Sequence, residues 1–433
     1  MWVSIVAIVV ATGLFSCLTF LPSIRSSEYW SATVTPLASI MGSGFLVSAP
    51  LLAAVVGNWS PLVMAGLLLV AWLVGDAVRF NIRYAEPLAE HPSKAMVAVD
   101  ASFDASNHRL HRSHRDAAAL KVKAPELISH FILAVAYFIS TTYYVQLLSE
   151  FSLGYFGVDS EMVSKVVSSG VLFSIAMIGF LFGLSIIEKV ERYAINLNLA
   201  MIGALIACLI WHNLALWIGG DWILPDLQPE PDKWHAARVC LGLLVVVQGF
   251  ETSRFLGSDH SAKVRVTTMK WAQAVAAAVY LIFLTLILVV MTPEQASASA
   301  GVTAIVSLAG SLAVVLPAMI TIAAIGSQFS ASVADEAGCG GLLSSLTSGG
   351  LTSRSAYLAI GCVTVGLAWT VDVMQVIAIA SRAFAAFYCL QCWVAATIAW
   401  TGKCGAPRRV RAVGYGLLTI GCLAITVLGI PSE

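Results

Sequence analysis

Charge is what this sequence has least of. Lys, Arg, Asp and Glu make up 11% of its 433 residues, where an ordinary soluble domain carries about 25%. So few charges cannot clothe a soluble globule of this size, which excludes a cytosolic enzyme. Neither sign is in excess: 24 basic residues face 24 acidic ones, without the basic surplus of a nucleic-acid binder. The nine cysteines supply no framework, because most fall in apolar runs. Cys389 and Cys392 form a CxxC with no second pair, which indicates neither a zinc site nor a disulfide scaffold. Residues 1–22 lack a basic leading stretch and an A-x-A cleavage site, so a retained helix is expected there rather than a signal peptide.

What is present is apolar. Hydrophobic residues reach 59% and mean hydropathy is +0.86, far too much burial-competent side chain for a disordered chain. An all-α polytopic membrane protein is expected, with the lipid bilayer as its main partner. A bilayer core takes about 20 apolar residues as a helix. That ruler predicts about twelve spans: 3–22, 35–57, 60–80, 127–150, 162–187, 194–218, 235–257, 267–291, 302–333, 356–371, 373–400 and 411–430. Asp372 alone separates the tenth from the eleventh.

Basic residues collect on the cytoplasmic side of membrane proteins. With both termini outside, only Lys165, Lys233 and Arg238 lie outward, Arg254 and Arg382 lie within spans, and the remaining 19 basic residues fall in or beside inward loops. Asp221, Asp226, Glu230 and Asp232 sit together in one outward loop. The segment 81–126 is thereby predicted to be cytoplasmic. It holds His108, His111 and His114, spaced like the histidine boxes of membrane di-iron oxygenases. The other five histidines are scattered, so a solvated basic patch near anionic headgroups is the better reading.

The informative residues are those that an ordinary membrane helix avoids. The second span contains Gly42-Ser43-Gly44, a run that unwinds cheaply because glycine tolerates unusual backbone angles. Unwound backbone in a bilayer must line a protein-enclosed cavity, where opened helix ends present N–H groups to an anion such as a carboxylate. Close packing through small residues is the alternative. The seventh span contains Gly249-Phe250-Glu251, with Arg254 one turn on. An intramembrane carboxylate is a functional candidate by default. Simple pairing of Glu251 with Arg254 is the bland alternative. The two irregular spans stand five apart, the spacing of an inverted five-helix repeat.

These residues resemble the amino acid–polyamine–organocation (APC) superfamily, transporters of the LeuT-type fold. Gly42-Ser43-Gly44 is similar to the break of that family's first core helix, and Gly249-Phe250-Glu251 to the motif of its sixth. The resemblance covers roughly residues 33–400. It implies a 5+5 inverted repeat whose halves are 33–218, including the loop 81–126, and 219–400. An extra N-terminal helix and connector then occupy 1–32, and a peripheral helix 401–433. It also implies a substrate site lined by Ser39, Gly42, Ser43, Gly44, Gly249, Phe250 and Glu251. The extra N-terminal helix and the long loop 81–126 depart from the family's usual form, and each is a candidate surface for a protein partner.

Coupling is less defined. The family's sodium-coupled members point to Ala38, Met41, Ser327 and Ser330 as candidate ion ligands, but their side-by-side hydroxyl pair is absent here. Its proton-coupled members can use a lysine in the fifth core helix, and 194–218 has none. Sodium, proton and uncoupled exchange all stay open, and no other cofactor is implied. Arg254, Asp335 and Arg382 are candidate gate or charge-pair residues, with Glu251 and Asp335 as partners for Arg382. The expectation is a secondary transporter of a small organic solute, an amino acid or amine, in the bacterial inner membrane. A non-transporting scaffold that keeps the fold is the alternative. No nucleophile–base or metal-ligand set converges, so an enzyme is not expected.

Overall fold

The computed structural model describes residues 2–42, 44–87, 108–158, 160–183, 185–256, 260–293, 295–296, 304–347, 350–371, 373–401 and 406–430. All regular structure among them is helical. The chain runs through α1 (Trp2–Phe20), α2 (Glu28–Gly42), α3 (Phe45–Val56), α4 (Ser60–Tyr84), α5 (His108–Tyr155), α6 (Glu161–Phe182) and α7 (Ser185–Gly219). There follow α8 (Lys233–Gly242), two 3-10 segments at Leu244–Val247 and Phe250–Phe255, and α9 (Ala262–Ile287). The remainder comprises α10 (Ala304–Leu312), α11 (Leu316–Leu346), α12 (Ser353–Thr370), α13 (Val373–Thr401) and α14 (Ala406–Leu428).

Helix starts follow local chemistry. Asp232 opens α8 by accepting the Trp234 and His235 amides at 2.9 and 3.2 Å, which satisfies donors that a helix leaves unpaired at its N-terminus. Ser261 and Thr352 cap α9 and α12 in the same way. Pro61 sits in the first turn of α4, where its missing N–H costs nothing.

Nine stretches among the described residues are long and apolar enough to cross a bilayer, which makes this an integral multi-pass membrane protein. Three local causes separate nine from the expected twelve. The second and third expected spans merge in Glu28–Tyr84, because the link between α3 and α4 is a single 3-10 turn at Gly57–Trp59. The seventh is divided between α8 and 3-10 backbone. α12 has only 18 residues, short against the bilayer ruler.

Two boundaries also move. The expected span 302–333 resolves into α10 and a later helix, α11, running to Leu346. Pro317 is the reason: proline lacks an amide donor and starts helices rather than continuing them. Asp335 is thereby carried to the middle of α11. α5 starts at His108, well before the expected 127, so the end of the presumed loop 81–126 continues a membrane helix. Side chains of the His108–Arg115 patch lie outside the described residues, as does Asp372.

Burial orders the bundle. In α5, 72% of the apolar window is buried, against 17% in α1 and 22% in α14, so α5 is central and the terminal helices are peripheral. α1 lies along α7, where Asn196 donates to the Leu18 carbonyl at 3.3 Å. α14 lies along α13. Its end is tied to α8, with Arg238 donating to the Leu428 carbonyl at 3.1 Å.

Candidate functional site

The first break falls between α2 and α3. Gly44 has φ +151°, and Pro36 and Pro50 stand inside the flanking helices, each removing one helical hydrogen bond. The second break falls at Gln248-Gly249, between the two 3-10 segments, with Gly249 at φ +114°. Side chains rarely adopt either backbone conformation, so glycine is the residue that permits them. Ser43 lies outside the described residues.

The two breaks touch. A Cβ on Gly249 would collide with Ser39 Oγ and stand 2.7 Å from the Ile40 amide nitrogen and the Ser39 carbonyl carbon. Gly42 is pressed as closely onto Ala331 of α11. Tyr280 of α9 ties the breaks together. Its hydroxyl lies 2.7 Å from the Val246 carbonyl, in the first 3-10 segment, and 3.1 Å from the Ile40 carbonyl, in the last turn of α2. That tyrosine was not singled out in the sequence, since aromatic residues in apolar runs usually only pack.

Glu251 holds the second break from inside. Its Oε2 accepts the Gly249 amide at 3.0 Å and the Tyr388 hydroxyl at 2.6 Å. Phe250 stacks on Tyr388, with ring centroids 5.2 Å apart. Gln248 donates to the Tyr144 hydroxyl at 2.6 Å. Glu251 Oε1, Gln248 Oε1 and the Tyr137 hydroxyl are buried with no hydrogen-bond partner among the described residues. Orphaned polar atoms of this kind cost free energy unless a ligand or water meets them.

Asp335 of α11 is fully buried. Ser39 Oγ donates to its Oδ1 at 3.1 Å, and Ser140 of α5 donates to Oδ2. One carboxylate therefore joins α2, α5 and α11. Ser327 Oγ donates to the Met41 carbonyl at 3.2 Å, at the end of α2. Ser330 turns to the Gly326 carbonyl of its own helix at 2.7 Å. Ala38 is buried on α2. Of the candidate ion ligands, the structure thus brings Met41 and Ser327 together, and Ser330 bonds elsewhere.

Glu251 and Arg254 do not pair. The Arg254 guanidinium instead donates to Glu126 and Gln391 and lies 3.4 Å from Glu86. Arg265 grips Glu86 through two bonds of 3.1 and 2.7 Å. Gln391 donates to Ser129 at 2.8 Å and accepts from Asn81 at 2.8 Å. This buried network links α4, α5, α9 and α13 at one end of the second broken helix. Arg382 reaches neither Glu251 nor Asp335. It is exposed, and its Nε donates to the Thr426 carbonyl of α14 at 2.7 Å.

Glu86, Glu126, Gln391 and Ser140 were missed in the sequence. Glu86 and Glu126 sit in the long segment between two spans, where charges draw no attention. Gln391 was the legible one, since an amide inside a span needs a partner.

Among the described residues the protein is all-helical and multi-pass, and two discontinuous helices come together inside the bundle, an arrangement that membrane carriers also use. A family model described as APC superfamily transporter matches residues 22–110 and 98–429. An uncharacterized protein of Aquifex aeolicus (strain VF5) is 35% identical over 408 residues, covering 94% of this chain and 92% of that one. The chain belongs to the APC superfamily of transporters.

Proposed function

We propose that this protein is a secondary active transporter of a small organic solute carrying an amino group, working by alternating access in the bacterial inner membrane. The reading includes a 5+5 inverted repeat over 33–218 and 219–400, with the loop 81–126 in the cytoplasm. The observation that carries it is the contact of the two breaks beside orphaned acceptors. Glu251 Oε1 and Gln248 Oε1 are acceptors without donors among the described residues, and an ammonium group supplies donors and a compensating charge. The opened N-terminus of α3 at Gly44 supplies donors for a carboxylate if the solute is an amino acid. The Arg254–Glu126–Glu86–Arg265 network then acts as the cytoplasmic gate, holding the interior of α5 to the end of α4 and the start of α9 until the solute is released.

One observation favours a scaffold instead. Ser39, Phe250, Glu251 and Tyr388 are all buried, so the centre is filled with side chains. For a carrier this is the occluded conformation; for a scaffold it is permanent.

A thermal-shift screen of the purified protein against amino acids, amines and polyamines separates the two. A ligand of the native state at 100 times its Kd stabilises by about 2.7 kcal/mol. The expected result is a rise in melting temperature with an amine-bearing solute, lost in Glu251→Gln. A screen with no shift, or a shift that Glu251→Gln retains in full, contradicts the proposed site.

A further inference from the structure

Asp335 accepts two hydroxyl hydrogen bonds, and the one to Ser140 can run in either direction. Ser140 Oγ carries one proton and faces two acceptors, Asp335 Oδ2 and the Tyr137 carbonyl at 3.3 Å. With Asp335 ionised, that proton serves only one of them. With Asp335 protonated, Oδ2–H donates to Ser140 Oγ, Ser140 donates to the Tyr137 carbonyl, and Ser39 still donates to Oδ1. That arrangement fits the same heavy-atom positions.

The surroundings favour the same form. No basic side chain pairs with Asp335 among the described residues. The titratable groups that face it are Glu251 from the second break, Tyr137 and Tyr144 from α5, and Cys339 on α11 itself, which in turn has Glu336 beside it. All lose a proton to become negative, so none offsets a charge on Asp335. A charge buried without a counterion is costly, and a carboxyl group avoids that cost by taking up a proton.

Position gives the proton a consequence. Ser39, which donates to Asp335, is the residue against which Gly249 packs. Loss of the proton leaves a buried anion one hydrogen bond from the contact between the breaks. We propose that Asp335 is a proton-binding site, gaining an O–H bond on Oδ2 and returning that proton to water, and that its occupancy controls the contact between Ser39 and Gly249. The coupling of this proton to solute movement rests on the transport reading; the proton site does not.

The test needs no solute. The protein is labelled with aspartate carrying 13C in its side-chain carboxyl and reconstituted in phosphatidylethanolamine–phosphatidylglycerol vesicles. Infrared spectra are recorded against pH, alongside amide hydrogen exchange of peptides covering 37–47 and 246–252, corrected for intrinsic pH dependence. The expected result is a label-sensitive protonated-carboxyl band that disappears as pH rises, with a rise in exchange at the same midpoint. Asp335→Asn should lose both. Should that variant fail to fold, the labelled wild type decides alone, because Asp335 is the one buried aspartate among the described residues.

A wild type with no titrating, label-sensitive band overturns the proposal. So does the same band or the same exchange step in Asp335→Asn, or removal of the band by sodium at constant pH, which would make the ligand a metal cation. A titrating Asp335 in a protein that moves no solute leaves the proton site standing and sinks the transport reading. Solute uptake with a pH-independent Asp335 does the reverse.

Discussion

Gly249→Ala tests the contact between the breaks most sharply. At φ +114° an alanine is strained, which costs about 1–3 kcal/mol. Its Cβ would also collide with Ser39 Oγ and stand 2.7 Å from the Ile40 nitrogen. The nitrogen is backbone and cannot rotate away, so overpacking adds about 1–3 kcal/mol more. The expected loss is roughly 2–6 kcal/mol for the pair of effects. Gly44→Ala shares the strain, but its Cβ meets the Val246 methyl groups at 3.0 and 3.4 Å, and a side chain can adjust. It should lose less, about 1–3 kcal/mol. Gly66 in α4 has open space around its Cβ, so Gly66→Ala should gain about 0.5–1 kcal/mol from lower backbone freedom. Denaturant unfolding of the purified protein in detergent gives the order. Gly249→Ala matching wild type would refute the contact.

The charged network gives a ranked pair of expectations. Arg254→Gln strips Glu126 of its guanidinium and should cost about 3–5 kcal/mol, the range for removing one partner of a buried pair. Glu126→Gln leaves Arg254 with Glu86 at 3.4 Å and should cost less; equal losses in unfolding measurements would contradict the network. Glu251 and Arg254 share no hydrogen-bond partner. Arg254→Gln should therefore not restore the stability that Glu251→Gln loses, and recovery in the double variant would mean the two side chains do pair.

Backbone irregularity was legible from the sequence, and partner choice was not. Gly42, Gly44 and Gly249 announce themselves because few other residues tolerate unwound backbone in a bilayer. Glu251 and Asp335 announce themselves by the cost of a carboxylate at that depth. Their partners come from far along the chain: Asp335 meets Ser39 and Ser140, and Arg254 meets Glu126 rather than the nearer Glu251. Such choices follow from how the helices pack, which spacing along one helix does not encode. Arg382 illustrates the point. Its depth in a span predicted a buried counter-ion, yet it lies on the face toward α14 and bonds a carbonyl there. Helix ends were lost where one residue decides, as Pro317 does for α11.

Solute flux is the most direct test of the central claim that the paired breaks form a transport site. The amine-bearing ligand found by thermal shift is radiolabelled and offered to vesicles containing the purified protein. The expected result is saturable uptake above protein-free vesicles, lost in Glu251→Gln while that variant remains folded. A ligand that binds wild type but is never carried inside would contradict the account and leave the protein a scaffold that keeps a transporter's fold.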